Sequence, residues 1–142
     1  MGVRVKIRLR NKKSGKVIKT SALLNSGYES KAPEVTLPRK VADILGFSPL
    51  PENAKIITVR TSGGLVSEIF VPNAAELELL DENDNVLRKI TVDVSISDLE
   101  NEILISDSGI DALNIEVISF SKGLWRLRGE TKIRHSASPE TW

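Results

Sequence analysis

Between residues 3 and 10 the chain reads VRVKIRLR, with apolar and basic side chains alternating without a break. A period of two places every apolar group on one face, so this segment predicts a half-buried strand. NKKSGK (11–16) carries hairpin turn chemistry, and VIKTSALL (17–24) predicts the return strand. Its last part is continuously apolar, as expected where a strand crosses a core. In TLPRKVADILGF (36–47) the period changes: Val41, Ile44 and Leu45 recur at helical spacing, Pro38 suits the first turn and Gly46 suits the stop. This predicts a helix near 38–46. NAKIITVRTSGGLVSEIFV (53–71) predicts a hairpin, with strands near 54–71 around the tip Ser62-Gly63-Gly64.

AAELELL (74–80) and VLRKITVDVSIS (86–97) predict two more strands joined by the polar turn DENDN, and EILIS (102–106) predicts a short strand buried on both faces. DSGIDALN (107–114) predicts a short helix capped by Asp107 or Ser108, with Ile110 and Leu113 facing inward. IEVISF and LWRLR predict a last hairpin around Ser121-Lys122-Gly123. After Arg128 the chain becomes polar. The expected organisation is therefore one domain, 1–129, followed by a flexible C-terminal tail, 130–142. Many short strands with one or two short helices predict a mostly β, barrel-like domain. LLNSG and ILISD share a form, an apolar run driving into a small polar turn about eighty residues apart, a faint sign of internal duplication.

Composition narrows the chemistry. The chain has 142 residues, 40% hydrophobic and 27% charged, with net charge +1, which is enough for a core without metal or disulfide staples. With no cysteine, thiolate nucleophiles, disulfides and cysteine-ligated zinc are excluded. The single histidine, His135, falls in the expected tail, a poor place for a triad member that must be held rigidly. No cofactor and no metal are expected, and acid–base work would fall to carboxylates. No leading apolar segment or long apolar run appears, so the expectation is a cytoplasmic protein with no membrane partner. Residues 1–20 hold eight basic side chains and no acid. That pattern suits either a nucleic-acid stripe or a solvated hairpin face guarding an exposed edge. With only 4% aromatics for base stacking, the solvated face is preferred and no nucleic-acid partner is expected.

Hydrolysing an amide without metal, thiol or histidine leaves mainly two carboxyl groups sharing one proton, about 3 Å apart, with a water between them. A short chain with one suitable loop could supply one of them and a two-fold partner the other. ALLNSG (22–27) resembles the (A/V)(L/F)(L/V)D(T/S)G motif of the retropepsin-like aspartic proteases. TLPRKVADILGF is similar to the helix that follows the active-site loop in several cellular members, TSGG (61–64) stands where the flap tip belongs, and EILISDSGIDALNIEVISFSKGLWRL resembles the second buried strand, the C-terminal helix and the closing strands. The resemblance covers residues 3–128, with every element in order, and is greatest to the short single-domain prokaryotic members.

The resemblance implies a closed retropepsin-like barrel, a homodimer, and an extended polypeptide as substrate. It also implies roles by position. Asn25 stands where the aspartate would activate water, Ser26 would hydrogen-bond across the two-fold axis, and Gly27 would permit the tight turn and close approach of substrate backbone. Glu29 and Ser30 would hold the peptide backbone, while Ser62, Gly63 and Gly64 would form the moving flap. Leu24, Leu65 and Ile105 are candidates to line side-chain pockets. Two departures stand out: Asn25 replaces the aspartate, and Ser106 follows the second apolar run where a glycine is usual. An amide has no proton to give at ordinary pH, so the chain as written is expected to be inactive, either as a substituted form of an aspartate-bearing parent or as a natural pseudoprotease. Each site residue also has a plainer reading: Asn25-Ser26-Gly27 as a turn, Ser62-Gly63-Gly64 as an ordinary hairpin tip, Asp107 as a helix cap and Trp125 as a core or dimer-edge residue. A basic β-barrel that binds nucleic acid is the remaining alternative.

Overall fold

A computed structural model describes residues 2–142. The alternating segment forms β1 (Arg4–Asn11), whose odd positions Val5, Ile7 and Leu9 are buried while the basic side chains point outward. It pairs antiparallel with β2 (Val17–Leu24) across a turn in which Asn11 Oδ1 accepts from Lys13 N at 2.9 Å and Gly15 takes a left-handed φ of 75°. Further along are β3 (Glu34–Pro38), α1 (Arg39–Ile44), β4 (Lys55–Thr61), β5 (Gly64–Leu80), β6 (Val86–Ser97), β7 (Ile103–Ile105), α2 (Asp107–Ala112), β8 (Ile115–Ser119), β9 (Leu124–Leu127) and β10 (Arg134–His135).

Six strands close on themselves in the order β1-β2-β7-β3-β6-β5, with β5 returning to β1, so the molecule is a mostly β, closed barrel with two short helices. Closure satisfies both edges of every barrel strand. Its interior is filled by the inward side chains of all six strands, among them Leu9, Ala22, Leu37, Leu77, Val94 and Ile105. β4 pairs only with β5 and is an edge strand outside the ring. β8, β9 and β10 form a separate small sheet. No helix among the described residues is long and apolar enough to cross a membrane.

Four expectations need correction. Residues 36–38 are strand, not helix: Val35, Thr36 and Leu37 are buried between β6 and β7, and packing of these residues overrides the helical spacing further on. The helix starts at Arg39 and ends as expected at Gly46, whose φ is 79° and whose N–H donates to Asp43 O. The strands expected at 64–71 and 74–80 are one strand, β5, which pairs with β6 on both sides of an irregularity between Val71 and Ala75. Pro72 has no N–H to give the ladder, and Asn73 turns to a φ of 50°, so the strand bends there without ending. The basic face of β1 does not guard an edge, because β1 is hydrogen-bonded on both sides.

The last correction concerns residues 130–142, expected to be a flexible tail. They run along the barrel instead. β10 pairs with β9, Ala137 N donates to Arg4 O at 2.8 Å, and Trp142 N donates to Asn101 O at 2.8 Å while its ring packs against the core. The segment is polar in sequence because its binding is largely backbone pairing, which leaves no periodic apolar mark. Trp125 beneath it is buried, with the Arg134 guanidinium 5.7 Å above its ring.

Candidate functional site

The two segments that share a form in sequence lie side by side. β2 runs parallel to β7 with Leu24 opposite Ile105, so the chain leaves the barrel at adjacent points, Asn25 and Ser106. Asn25 N donates to Ile105 O at 3.1 Å, which ties the first corner to the second strand. The Asn25 side chain folds back, its Oδ1 accepting from Gly27 N at 3.1 Å, while its own carbonyl accepts from Tyr28 N at 3.1 Å. This is the local turn that asparagine forms readily.

The second corner is built on Ser106, which is fully buried. Its hydroxyl accepts from Gly109 N at 3.1 Å and from Glu34 N at 3.1 Å, and lies 2.7 Å from Ser30 Oγ. Ser106, not Asp107 or Ser108, therefore caps α2. Asp107 binds the first corner: its N–H donates to Tyr28 O at 2.8 Å and its Oδ1 accepts from Ser30 N at 3.0 Å. A Cβ on Gly109 would sit 2.8 Å from Ile105 Cγ2, so glycine is what lets α2 pack onto β7. Serine where a glycine was expected is thus a structural centre joining residues 25–34 to α2.

Asn25 faces a cleft of about 850 Å³ that the β4–β5 hairpin also lines, through Ile57, Val59 and Ser62. Gly27 and Glu29 line it as well. Gly63 and Gly64 complete the hairpin tip, where Thr61 Oγ1 accepts from Gly63 N at 3.2 Å and donates to Gly64 O at 2.9 Å. Ser26 is exposed, and among the described residues its hydroxyl has no partner. Ser30 is a latch to α2 and does not hold the cleft wall. Gly27 does not adopt a left-handed φ, so its turn does not demand glycine; a Cβ there would meet Asn25 Oδ1 at 3.4 Å. Leu24 and Ile105 are buried in the barrel, and strand parity gives the cleft Leu104 instead; Leu65 is 65% exposed on the hairpin.

Sequence reasoning missed Tyr28, Glu34 and Glu68, all of which line this cleft. Glu34 accepts a short hydrogen bond from the Tyr28 hydroxyl and another from Ser95 Oγ at 3.0 Å. Burial pushes the Glu34 carboxyl above the usual glutamate range, partly offset by those two hydroxyls, with Asp93 adding repulsion. Burial likewise raises Glu68, against a hydrogen bond from Ser97, with Glu34 and Glu100 adding repulsion. Burial and then the Glu34 carboxylate push the Tyr28 phenol far above its ordinary value, so it is a donor at any ordinary pH. The alternation Val66-Ser67-Glu68 beside the inward Ile57 and Val59 is the one signal that could have placed Glu68 in the cleft.

Among the described residues no group of three His, Cys, Asp or Glu side chains is gathered to hold a metal. A second cavity, about 490 Å³, lies beneath the C-terminal segment, lined by Trp125 and Arg134. The Arg134 guanidinium there is bound by Glu130 at 2.6 Å. No family model and no curated protein matches the chain. The cleft thus combines an amide at the strand corner, which can only give and accept hydrogen bonds, with two half-buried carboxyls that hold protons more tightly than usual.

Proposed function

We propose that this chain is one half of a homodimeric aspartic endopeptidase of retropepsin-like type, carried in a form that binds extended polypeptide without cleaving it. The observation that supports this reading most is the pairing of the two corners: Asn25 ends one buried strand, is bonded to the end of a parallel one, and opens on a cleft overhung by a hairpin. In the aspartate-bearing form, two such corners from two copies would share one proton and direct a water at the peptide carbonyl, one carboxyl as base and the other as acid. Asparagine keeps the turn, since its Oδ1 can hold Gly27 N as a carboxylate would, and removes the titration. Ser26, Gly27 and Glu29 would then meet substrate, with Ser62, Gly63 and Gly64 closing over it. No cofactor enters.

The test is Asn25→Asp, assayed on an unfolded polypeptide at mildly acid pH, with intact mass confirming that the parent chain has not deamidated. Cleavage by the variant, absent from the parent and blocked by a transition-state mimic of aspartic proteases, is the expected result. A correctly folded variant with no cleavage would leave the natural pseudoprotease as the better reading. That second reading draws on β4, an edge strand with one unpaired side, to which an extended peptide can add. Nucleic-acid binding has less to support it. The basic side chains of β1 are matched by Glu102, Asp84, Glu78 and Glu76.

A further inference from the structure

We propose that the cleft selects polypeptides carrying a lysine or arginine, whose cationic end sits between Glu34 and Glu68. The proposal rests on the reading of this cleft as a polypeptide site and adds the class of side chain it takes. Four carboxyls line the cleft, Glu29, Glu34, Glu68 and Glu100, against one cation, Arg60, which is exposed beside the hairpin tip.

Ion pairing separates these four acids from the rest of the surface. Glu76, Glu78, Asp84 and Glu102 on the barrel wall each have a lysine or arginine partner. Among the described residues none of the four cleft carboxyls has one. Glu34 is held in place by neutral hydroxyls, those of Tyr28 and Ser95, which fix its direction without cancelling its charge. Withdrawing a carboxylate from water without a counter-charge is unfavourable, and an arriving ammonium or guanidinium removes that penalty. The raised proton affinities of Glu34 and Glu68 express the same penalty. Ile57, Val59 and Leu104 supply apolar wall for the methylene stem of such a side chain. A neutral apolar side chain would use the wall and leave both carboxyls uncompensated, and an acidic one would add repulsion.

The experiment measures fluorescence anisotropy of the full Asn25 chain with three labelled octapeptides of alternating valine and threonine, differing only in a central lysine, glutamine or glutamate. The lysine peptide should bind about tenfold more tightly than the glutamine peptide, as one charge-assisted contact supplies, and the glutamate peptide most weakly. The advantage should shrink with added salt and vanish in the Glu34→Gln/Glu68→Gln variant, with near-ultraviolet circular dichroism reporting that its fold is intact. Should the double variant not fold, Glu68→Gln alone must reduce the lysine advantage. Equal binding of all three peptides would overturn the proposal and leave the polypeptide reading standing. If none of the three binds, the polypeptide reading falls and this proposal with it.

Discussion

Replacing Ser106 by alanine removes one oxygen from a fully buried position and tests the framework on which the cleft stands. The hydroxyl is the N-cap of α2, and the same atom accepts from Glu34 N, at the start of β3. Loss of a serine cap costs about 1 kcal/mol. Leaving the half-buried Glu34 N–H without an acceptor costs about 1–2 kcal/mol more, the lower part of the range for a buried donor. The methyl group fits the space, so no clash offsets or adds to this, and the expected loss is roughly 2–3 kcal/mol. For a domain of this size that lowers Tm by roughly 6–10 °C. Urea unfolding should show the loss in the midpoint with the slope unchanged. Hydrogen exchange should quicken first at the Gly109 and Glu34 amides, and an exposed serine such as Ser121, changed to alanine, should leave Tm in place. A Ser106→Ala protein melting within a degree or two of the parent would show that the corner is not held by this oxygen, and the account of how residues 25–34 are tied to α2 would fail.

Two further outcomes follow from the same geometry. The Glu34 carboxyl is raised in the folded state, so between its ordinary value of 4.5 and the raised one the native protein holds more protons than the unfolded chain. Stability should therefore fall as pH rises through that window, with Glu68, raised in the same sense, adding to the fall, and level off above it; Asp84, held down to about 2 by Lys19 and Lys6, acts in the opposite sense and mainly below the window. Glu34→Gln should flatten the decline in urea midpoint with pH, and an unchanged slope would contradict the assignment. Ending the chain after Thr131 removes β10, the Ala137 bond to Arg4 and the packing of Trp142, and should lower Tm by about 10 °C or more while raising the exposure of Trp125 fluorescence to quencher; a Tm equal to that of the full chain would show that the segment is only laid on the surface.

Much of the fold was legible where a single period governs a segment. β1 needed only its alternation, α1 its end at Gly46, and the β4–β5 hairpin its glycine-rich tip, because in each the local pattern and the tertiary environment agree. β3 was hidden: three buried residues before Pro38 are too few to show a period, and only the slot between β6 and β7 makes them strand. The C-terminal segment was hidden because backbone pairing leaves no mark in side-chain pattern. At the site, Asn25 and the hairpin tip were visible as motifs. Glu68 was visible only through the alternation of its strand, and Glu34 and Tyr28 not at all, since nothing local to residues 28–34 tells a carboxyl that burial deprives of water from one that stays wet.

The chain alone specifies a half-buried strand framework, the turn at Asn25 and the absence of thiol chemistry, all of which follow from side-chain type and short-range spacing. Barrel closure, the adjacency of Asn25 and Ser106, and the company kept by Glu34 are settled only when strands distant in sequence meet. Burial and pairing are properties of a neighbourhood, and neighbours such as Arg4 and Ala137 stand near opposite ends of the chain.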